Sequence, residues 1–231
     1  MKTYILKIID LSDETIDTLT NFISDYKKES IKKFLFKDDK IRCLLGDLLI
    51  RSILICKYGI KNEDITLSKN DYGKPFIYNL PNLYFNLSHS GEYIVCCLSN
   101  FPIGVDIELI KIIDIDSISK HFFTSEEYNY IFKAKTVSNK LDNFYTLWTA
   151  KESFVKCVGK GLSIPLNSFS IILDNLNDIR VDSNHFHGNF SLKSITIDTN
   201  YKLSICSLDD NSENIMEYVN YFYVTNHFIN K

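Results

Sequence analysis

The sequence predicts an α+β protein, and three observations carry that prediction. Apolar residues keep helical spacing from about residue 12 to residue 59, and from Ile65 to Asn100 the period shortens to two. The same order, helical material and then antiparallel strand patterns, returns between Thr124 and about residue 208. Only four Pro and eight Gly occur in 231 residues, which leaves little room for long flexible linkers. A typical single domain has about 100–150 residues, so at this length one large domain and two packed halves are both open.

Composition narrows the function classes. An apolar content of 45% with 24% charged residues is ordinary for a globular chain, and 16 Phe with 14 Tyr point to a core rich in rings. The net charge of −3 and the lack of a polybasic block argue against a nucleic-acid binder that grips phosphates. The first ten residues read as a short strand broken by Lys7 and Asp10, not as a signal peptide. No apolar run approaches the ~20 residues of a membrane helix. The six Cys (43, 56, 96, 97, 157 and 206) show no Cys-x-x-Cys spacing, so buried thiols in a reducing cytoplasm are expected.

Taken in order, Ser12 is the expected N-cap of a helix through about Tyr26, with Ile16, Leu19, Ile23 and Tyr26 at helical spacing. Residues 27–33 form the most basic local patch, which also fits a solvated helix face. Asp38 or Asp39 caps a longer helix ending near Gly59, and Arg42 and Arg51 within it need partners or solvent. Asn70-Asp-Tyr-Gly73 signals a turn. Tyr84–Leu87 reads as a strand running into Ser88-His-Ser-Gly91, and Tyr93–Ser99 as its return. Ser88 and His89 do not suit a hydrolytic dyad: neighbours on an extended chain face opposite ways, and no Gly-x-Ser-x-Gly elbow is present.

In the second half, Thr124-Ser-Glu-Glu127 is a capping box that starts a helix. Another helix is expected from about Asn139 to Val158, closed by Gly159, with strands at about 168–173, 190–197 and 201–208. The polar stretch 174–189 reads as a surface loop, and residues 213–231 are ambiguous between helix and strand. Tyr93-Ile-Val-Cys-Cys-Leu and Tyr201-Lys-Leu-Ser-Ile-Cys look faintly alike, though one echo does not make a repeat.

The strand Ile103-Gly-Val-Asp-Ile-Glu108 carries the chemistry. Residues two apart share a face, so Asp106 and Glu108 present carboxylates together while the aliphatic residues face the core. Like charges held so close raise a pKa unless a cation lies between them, although an exposed strand face gives the same alternation. Trp148, Glu152 and Lys156 fall at i, i+4 and i+8 on the second long helix. Asp106, Glu108 and Glu152 can supply three oxygens to one hard cation such as Mg²⁺, and Lys156 would then sit near a bound anion.

Gly73-Lys-Pro75, Phe85-Asn-Leu-Ser-His-Ser-Gly91, Ile103–Glu108 and Trp148-Thr-Ala-Lys-Glu-Ser-Phe-Val-Lys156, with Gly159-Lys-Gly161, occur in that order. Together they resemble the motifs of 4′-phosphopantetheinyl transferases, and the length is similar to that of the large, surfactin-synthetase-activating (Sfp-like) class. The resemblance implies two similar α/β halves, 1–102 and 103–231, packed as an intramolecular pseudo-dimer with coenzyme A in the cleft. It also implies a cytoplasmic monomer that moves phosphopantetheine from coenzyme A to a serine of an apo acyl or peptidyl carrier protein, with Mg²⁺ as cofactor. No nucleic acid or membrane partner is implied. Asp106, Glu108 and Glu152 match the family's magnesium ligands, and Lys156 a lysine that contacts the phosphates. Glu152 or a metal-bound water would remove the serine proton. Lys27, Arg42, Lys74, Ser88 and His89 match contacts to coenzyme A. Ser30 stands where the family often has a second basic residue, and Lys28 or Lys33 are the alternatives.

Overall fold

The computed structural model describes residues 1–173, 179–183, 185–208 and 213–229. The first half runs β1 (Lys2–Lys7), α1 (Asp13–Thr20), α2 (Asp25–Lys32), α3 (Lys37–Tyr58), the small hairpin β2 (Leu67–Lys69) and β3 (Pro75–Ile77), then the hairpin β4 (Tyr84–Ser90) and β5 (Tyr93–Ser99). The second half runs β6 (Ile103–Leu109), α4 (Ile115–Phe122), α5 (Ser125–Lys133), α6 (Val137–Val158), β7 (Ser170–Leu173), β8 (Ile179–Asp182), β9 (Phe190–Asp198) and β10 (Tyr201–Leu208). The chain closes with β11 (Ile215–Val219) and α7 (Tyr221–Ile229).

The halves repeat one plan. Each opens on a strand, passes through two short helices, and builds a 22-residue helix, α3 or α6. Both long helices stop at a glycine in the left-handed region, Gly59 (φ 65°) and Gly159 (φ 79°), which suits a residue without Cβ. Each half then returns by an antiparallel hairpin whose second strand pairs with the opening strand: the sheet orders are β11-β1-β5-β4 and β6-β10-β9-β8-β7. The faint echo between Tyr93–Leu98 and Tyr201–Cys206 thus falls on equivalent strands, β5 and β10. Helix α3 and the β1/β5/β4 strands bury one core, and α6 with β7, β9 and the 3-10 turns after it buries a second. A third cluster, with Ile5, Val95 and Cys97 on one side and Val105, Ile107 and Leu203 on the other, seals the two sheets against each other.

Helix α6 lies almost directly on β6. A Cβ on Gly104 would come within 2.0 Å of the Ser153 carbonyl oxygen and 2.3 Å of the Cys157 amide nitrogen, so only glycine permits the approach. That contact brings the Glu152–Lys156 turn of the helix next to Asp106.

Three expectations change. The helix from Ser12 breaks at residues 21–24, because Ser24 caps a new helix by accepting the Lys27 amide. Helix α3 begins at Lys37 with Phe36 at its N-cap position. Asp38 and Asp39 lie in its first turn, where they complement the helix dipole. The stretch 174–189 contains strand β8, with residues 174–178 and 184 outside the described residues.

The end of the chain does not stay with the second half. Strand β11 runs parallel to β1, and Val224 and Phe228 of α7 join the first core. Ser52 Oγ donates to the Val224 carbonyl at 2.6 Å, and Phe22 meets Phe228 with ring centroids 5.3 Å apart. Residues 215–229 therefore belong structurally to the first layer, where they cover the open edge of β1. Among the described residues no helix is long and apolar enough to cross a membrane.

Candidate active site

Two edge strands meet at the seam between the halves, β4 from the first sheet and β6 from the second. Over this seam lies a cavity of about 400 Å³, lined by Leu87, Ser88, His89, Asp106, Glu108, Trp148, Glu152 and Lys156. Strand periodicity points Asp106 and Glu108 the same way, and the i, i+4, i+8 stripe of α6 brings Trp148, Glu152 and Lys156 to meet them.

Asp106 is 4% exposed. Its Oδ1 accepts from Lys156 Nζ at 2.6 Å and from Ser88 Oγ at 3.1 Å, while Oδ2 is buried without a partner. Lys156 Nζ also donates to the Val105 carbonyl at 3.2 Å. Glu108 Oε2 accepts from Ser90 Oγ at 2.8 Å. Burial raises the pKa of Asp106 against the lowering effect of Lys156. Burial and the negative charge of Asp106 raise those of Glu108 and Glu152.

These carboxylates suit a hard cation. They surround one cavity, their charges are mutually unfavourable, and a buried carboxylate oxygen is left over. They are not a ready-made cage. Among the described residues no group of three or more His, Cys, Asp or Glu side chains is placed to hold an ion, and Lys156 is the counter-charge Asp106 has here.

The other expected contacts divide. His89 lines the carboxylate cavity and also a neighbouring cavity of about 510 Å³ that Arg42 and Lys111 share with Asp38, Asp39 and Glu92. Desolvation, with the Arg42 and Lys156 cations nearby, pushes the imidazole pKa down. Arg42 is held by Asp39 at 2.7 Å and by the Gly91 carbonyl at 3.0 Å. Lys27 on α2 lines neither cavity, and Lys28 pairs with Asp25 at 3.0 Å. The Ser88 hydroxyl donates to Asp106 and accepts from the Ile107 amide (3.2 Å) and from Lys156 Nζ (3.3 Å). Trp148 packs against Phe144 (5.9 Å), Phe122 (5.8 Å) and Phe123 (6.2 Å) while showing an edge to the cavity.

Lys74 points away from the carboxylates. Its Nζ donates to the Ile103 carbonyl at 2.9 Å and the Cys157 carbonyl at 3.2 Å, tying the start of β6 to the end of α6. Burial lowers its pKa. The expected result of Lys74→Met is a stability loss of about 1–3 kcal/mol in urea unfolding, because two carbonyls lose a charged donor. Coenzyme A affinity, read by calorimetric titration, should change less than about threefold, under ~0.7 kcal/mol.

The sequence reading assigned no role to Ser90 or Asn86 and did not foresee that Glu127 pairs with Lys151. The first two carried a signal: Asn86, Ser88 and Ser90 are polar at a spacing of two on a strand whose Phe85 is buried and whose Leu87 is half-buried.

Comparisons with known proteins show the family. Residues 102–206 match the family described as the 4′-phosphopantetheinyl transferase superfamily, and residues 11–100 match the one described as 4′-phosphopantetheinyl transferase, N-terminal. The chain belongs to the 4′-phosphopantetheinyl transferase superfamily. Within it the chain is Sfp-like: it is 41% identical over 197 residues to 4′-phosphopantetheinyl transferase Sfp of Bacillus subtilis (strain 168), covering 85% of this chain and 87% of the relative. It is 36% identical to 4′-phosphopantetheinyl transferase gsp of Aneurinibacillus migulanus, covering 89% and 85%. Among solved structures, a holo-(acyl-carrier-protein) synthase from Bacillus anthracis in complex with CoA (3′,5′-ADP) matches with a TM-score of 0.42 and 19% identity, over 47% of this chain and 95% of that one.

Proposed function

We propose that the carboxylate cavity is where the chain transfers the phosphopantetheinyl group of coenzyme A to a serine of an apo carrier protein, with Asp106, Glu108 and Glu152 holding Mg²⁺. The supporting observation is the convergence of these three acids and Lys156 around a single cavity. When bound, the cation would neutralise charge on the pyrophosphate and draw electron density from the phosphorus.

The chain's own residues do the rest. Glu152 accepts the serine proton. Burial and Asp106 raise its pKa in the metal-free chain, a bound cation would oppose that shift, and direct contact with the serine hydroxyl is what the role requires. The serine oxygen forms a bond to the β-phosphorus, the bond to the α–β bridging oxygen breaks, and adenosine 3′,5′-bisphosphate leaves with the electron pair. Lys156, with its ammonium beside Asp106, sits where it can exchange that partner for an oxygen of the leaving phosphate. His89 and Arg42 line the adjoining cavity, which would take the nucleotide end.

The test is mass spectrometry of an apo peptidyl carrier domain incubated with the chain, coenzyme A and Mg²⁺. The expected product gains one phosphopantetheinyl group per carrier, and the gain disappears with chelator. Transfer undiminished by chelator would remove the metal from the reading.

A further inference from the structure

Strands β4 and β6 are joined by side chains on one strand and amides on the other. Three residues of β4, two apart, each receive an amide of β6: Val105 N–H donates to Asn86 Oδ1 (2.8 Å), Ile107 N–H to Ser88 Oγ (3.2 Å) and Leu109 N–H to Ser90 Oγ (3.0 Å). Two of these rungs go one step further. Ser88 donates its O–H to Asp106 and Ser90 donates its O–H to Glu108, in each case the carboxylate just before the donating amide. The third rung ends at Asn86, because the residue before Val105 is Gly104, which has no side chain to orient.

We propose that Ser90 is a positioning residue that fixes the rotamer of Glu108 for a divalent cation. The Ser90 hydroxyl accepts from the Leu109 amide and donates its O–H to Glu108 Oε2, so both strands hold it in place. Glu108 is half-buried and lines the cavity with two other acids. Repulsion from those acids favours rotamers that point away from them, and the Ser90 hydrogen bond opposes such rotamers. Oε2 is thereby fixed while Oε1 remains for a ligand. Hydrogen bonds of this kind behind a ligating carboxylate set metal affinity because they remove the cost of ordering the side chain when the ion arrives. The inference rests on the reading of Glu108 as a cation ligand, so the experiment separates the two.

Asn86 supplies the internal control, since its rung joins the same strands and touches no carboxylate. Mn²⁺ is titrated into the full chain with coenzyme A present and carrier absent, and free Mn²⁺ is followed by electron paramagnetic resonance. Thermal unfolding of each variant is measured alongside. Ser90→Ala is expected to weaken Mn²⁺ binding about tenfold, and Ser90→Thr, which keeps the hydroxyl, should bind like the parent. Asn86→Ala should lower the melting midpoint but bind Mn²⁺ like the parent. The inference is overturned if Ser90→Ala binds like the parent, if Ser90→Thr fails to restore binding, or if Asn86→Ala loses as much affinity as Ser90→Ala. Glu108→Gln should lose Mn²⁺ binding outright. If it does not, the cation reading itself fails, whatever Ser90 does.

Discussion

Glu152→Gln is expected to lose turnover by about a hundredfold or more, the usual contribution of a positioned base, while the ligand-free protein becomes more stable. The first half follows from geometry: the amide keeps the shape of the side chain but cannot take the serine proton, and it is a poorer ligand for a hard cation. Coenzyme A affinity should stay within about tenfold, or ~1.4 kcal/mol, because the proposed seat of the nucleotide end is the adjoining cavity, which Glu152 does not line. The second half follows from linkage. Burial and Asp106 raise the folded-state pKa of Glu152 above its unfolded value, so the folded state is penalised wherever Glu152 is ionised in both states. That penalty is full at neutral pH and fades as pH falls through the raised pKa toward the ordinary value near 4.3. The stability gain of the variant over the parent should therefore be largest at pH 7 and shrink on acidification. Calorimetric melting of both proteins across that window, beside single-turnover transfer to a carrier, checks both halves. A variant that keeps turnover would take Glu152 out of both proposed roles. One that loses turnover and melts lower would point to general damage at the site.

The acids were legible in sequence because local periodicity decides where they point. Asp106 and Glu108 share a face by strand alternation, and Glu152 and Lys156 share one by helical spacing. Gly59, Gly159 and the Thr124–Glu127 capping box marked helix ends for equally local reasons. What stayed hidden depends on residues far apart in the chain. The break between α1 and α2 was masked because Ile16, Leu19 and Ile23 keep helical spacing across it, all buried in one core. The return of β11 to β1 is a parallel pairing across more than 200 residues, which no pattern near residue 215 announces. Lys74 sits in a motif that suggests a ligand contact, yet the reach of its side chain carries the ammonium to two carbonyls at the junction of β6 and α6. Ser90 was visible only as part of a polar alternation. Its meaning required knowing that the facing strand was β6.

The stability of that junction depends in turn on the far side of α6, where Lys151 is fully buried. Its ammonium donates to Glu127 Oε1 (2.9 Å), the Leu166 carbonyl (2.8 Å) and the Phe169 carbonyl (2.6 Å), so all three protons are used. Glu127 also accepts from the Ile171 amide (2.7 Å) and from the Thr124 amide (2.9 Å), which binds the cap of α5 and the start of β7 to the same point. Replacing Lys151 with Met leaves a buried carboxylate without its cation and two carbonyls without a donor, and the expected cost is about 3–5 kcal/mol. Removing both charges, as in Lys151→Met with Glu127→Leu, deletes the stranded carboxylate as well. Yet the Thr124 and Ile171 amides then lose an acceptor, so the double variant should recover only part of the loss. Urea unfolding of the two single variants and the double variant closes the cycle, and a coupling of at least ~1 kcal/mol between the positions is expected. Additive losses would mean that each side chain contributes through packing alone. Because Lys151 and Glu152 are adjacent on α6, the same node fixes the rotation of the helix. Lys151→Met should therefore also reduce transfer at temperatures where the protein remains folded, an effect that added coenzyme A would not reverse.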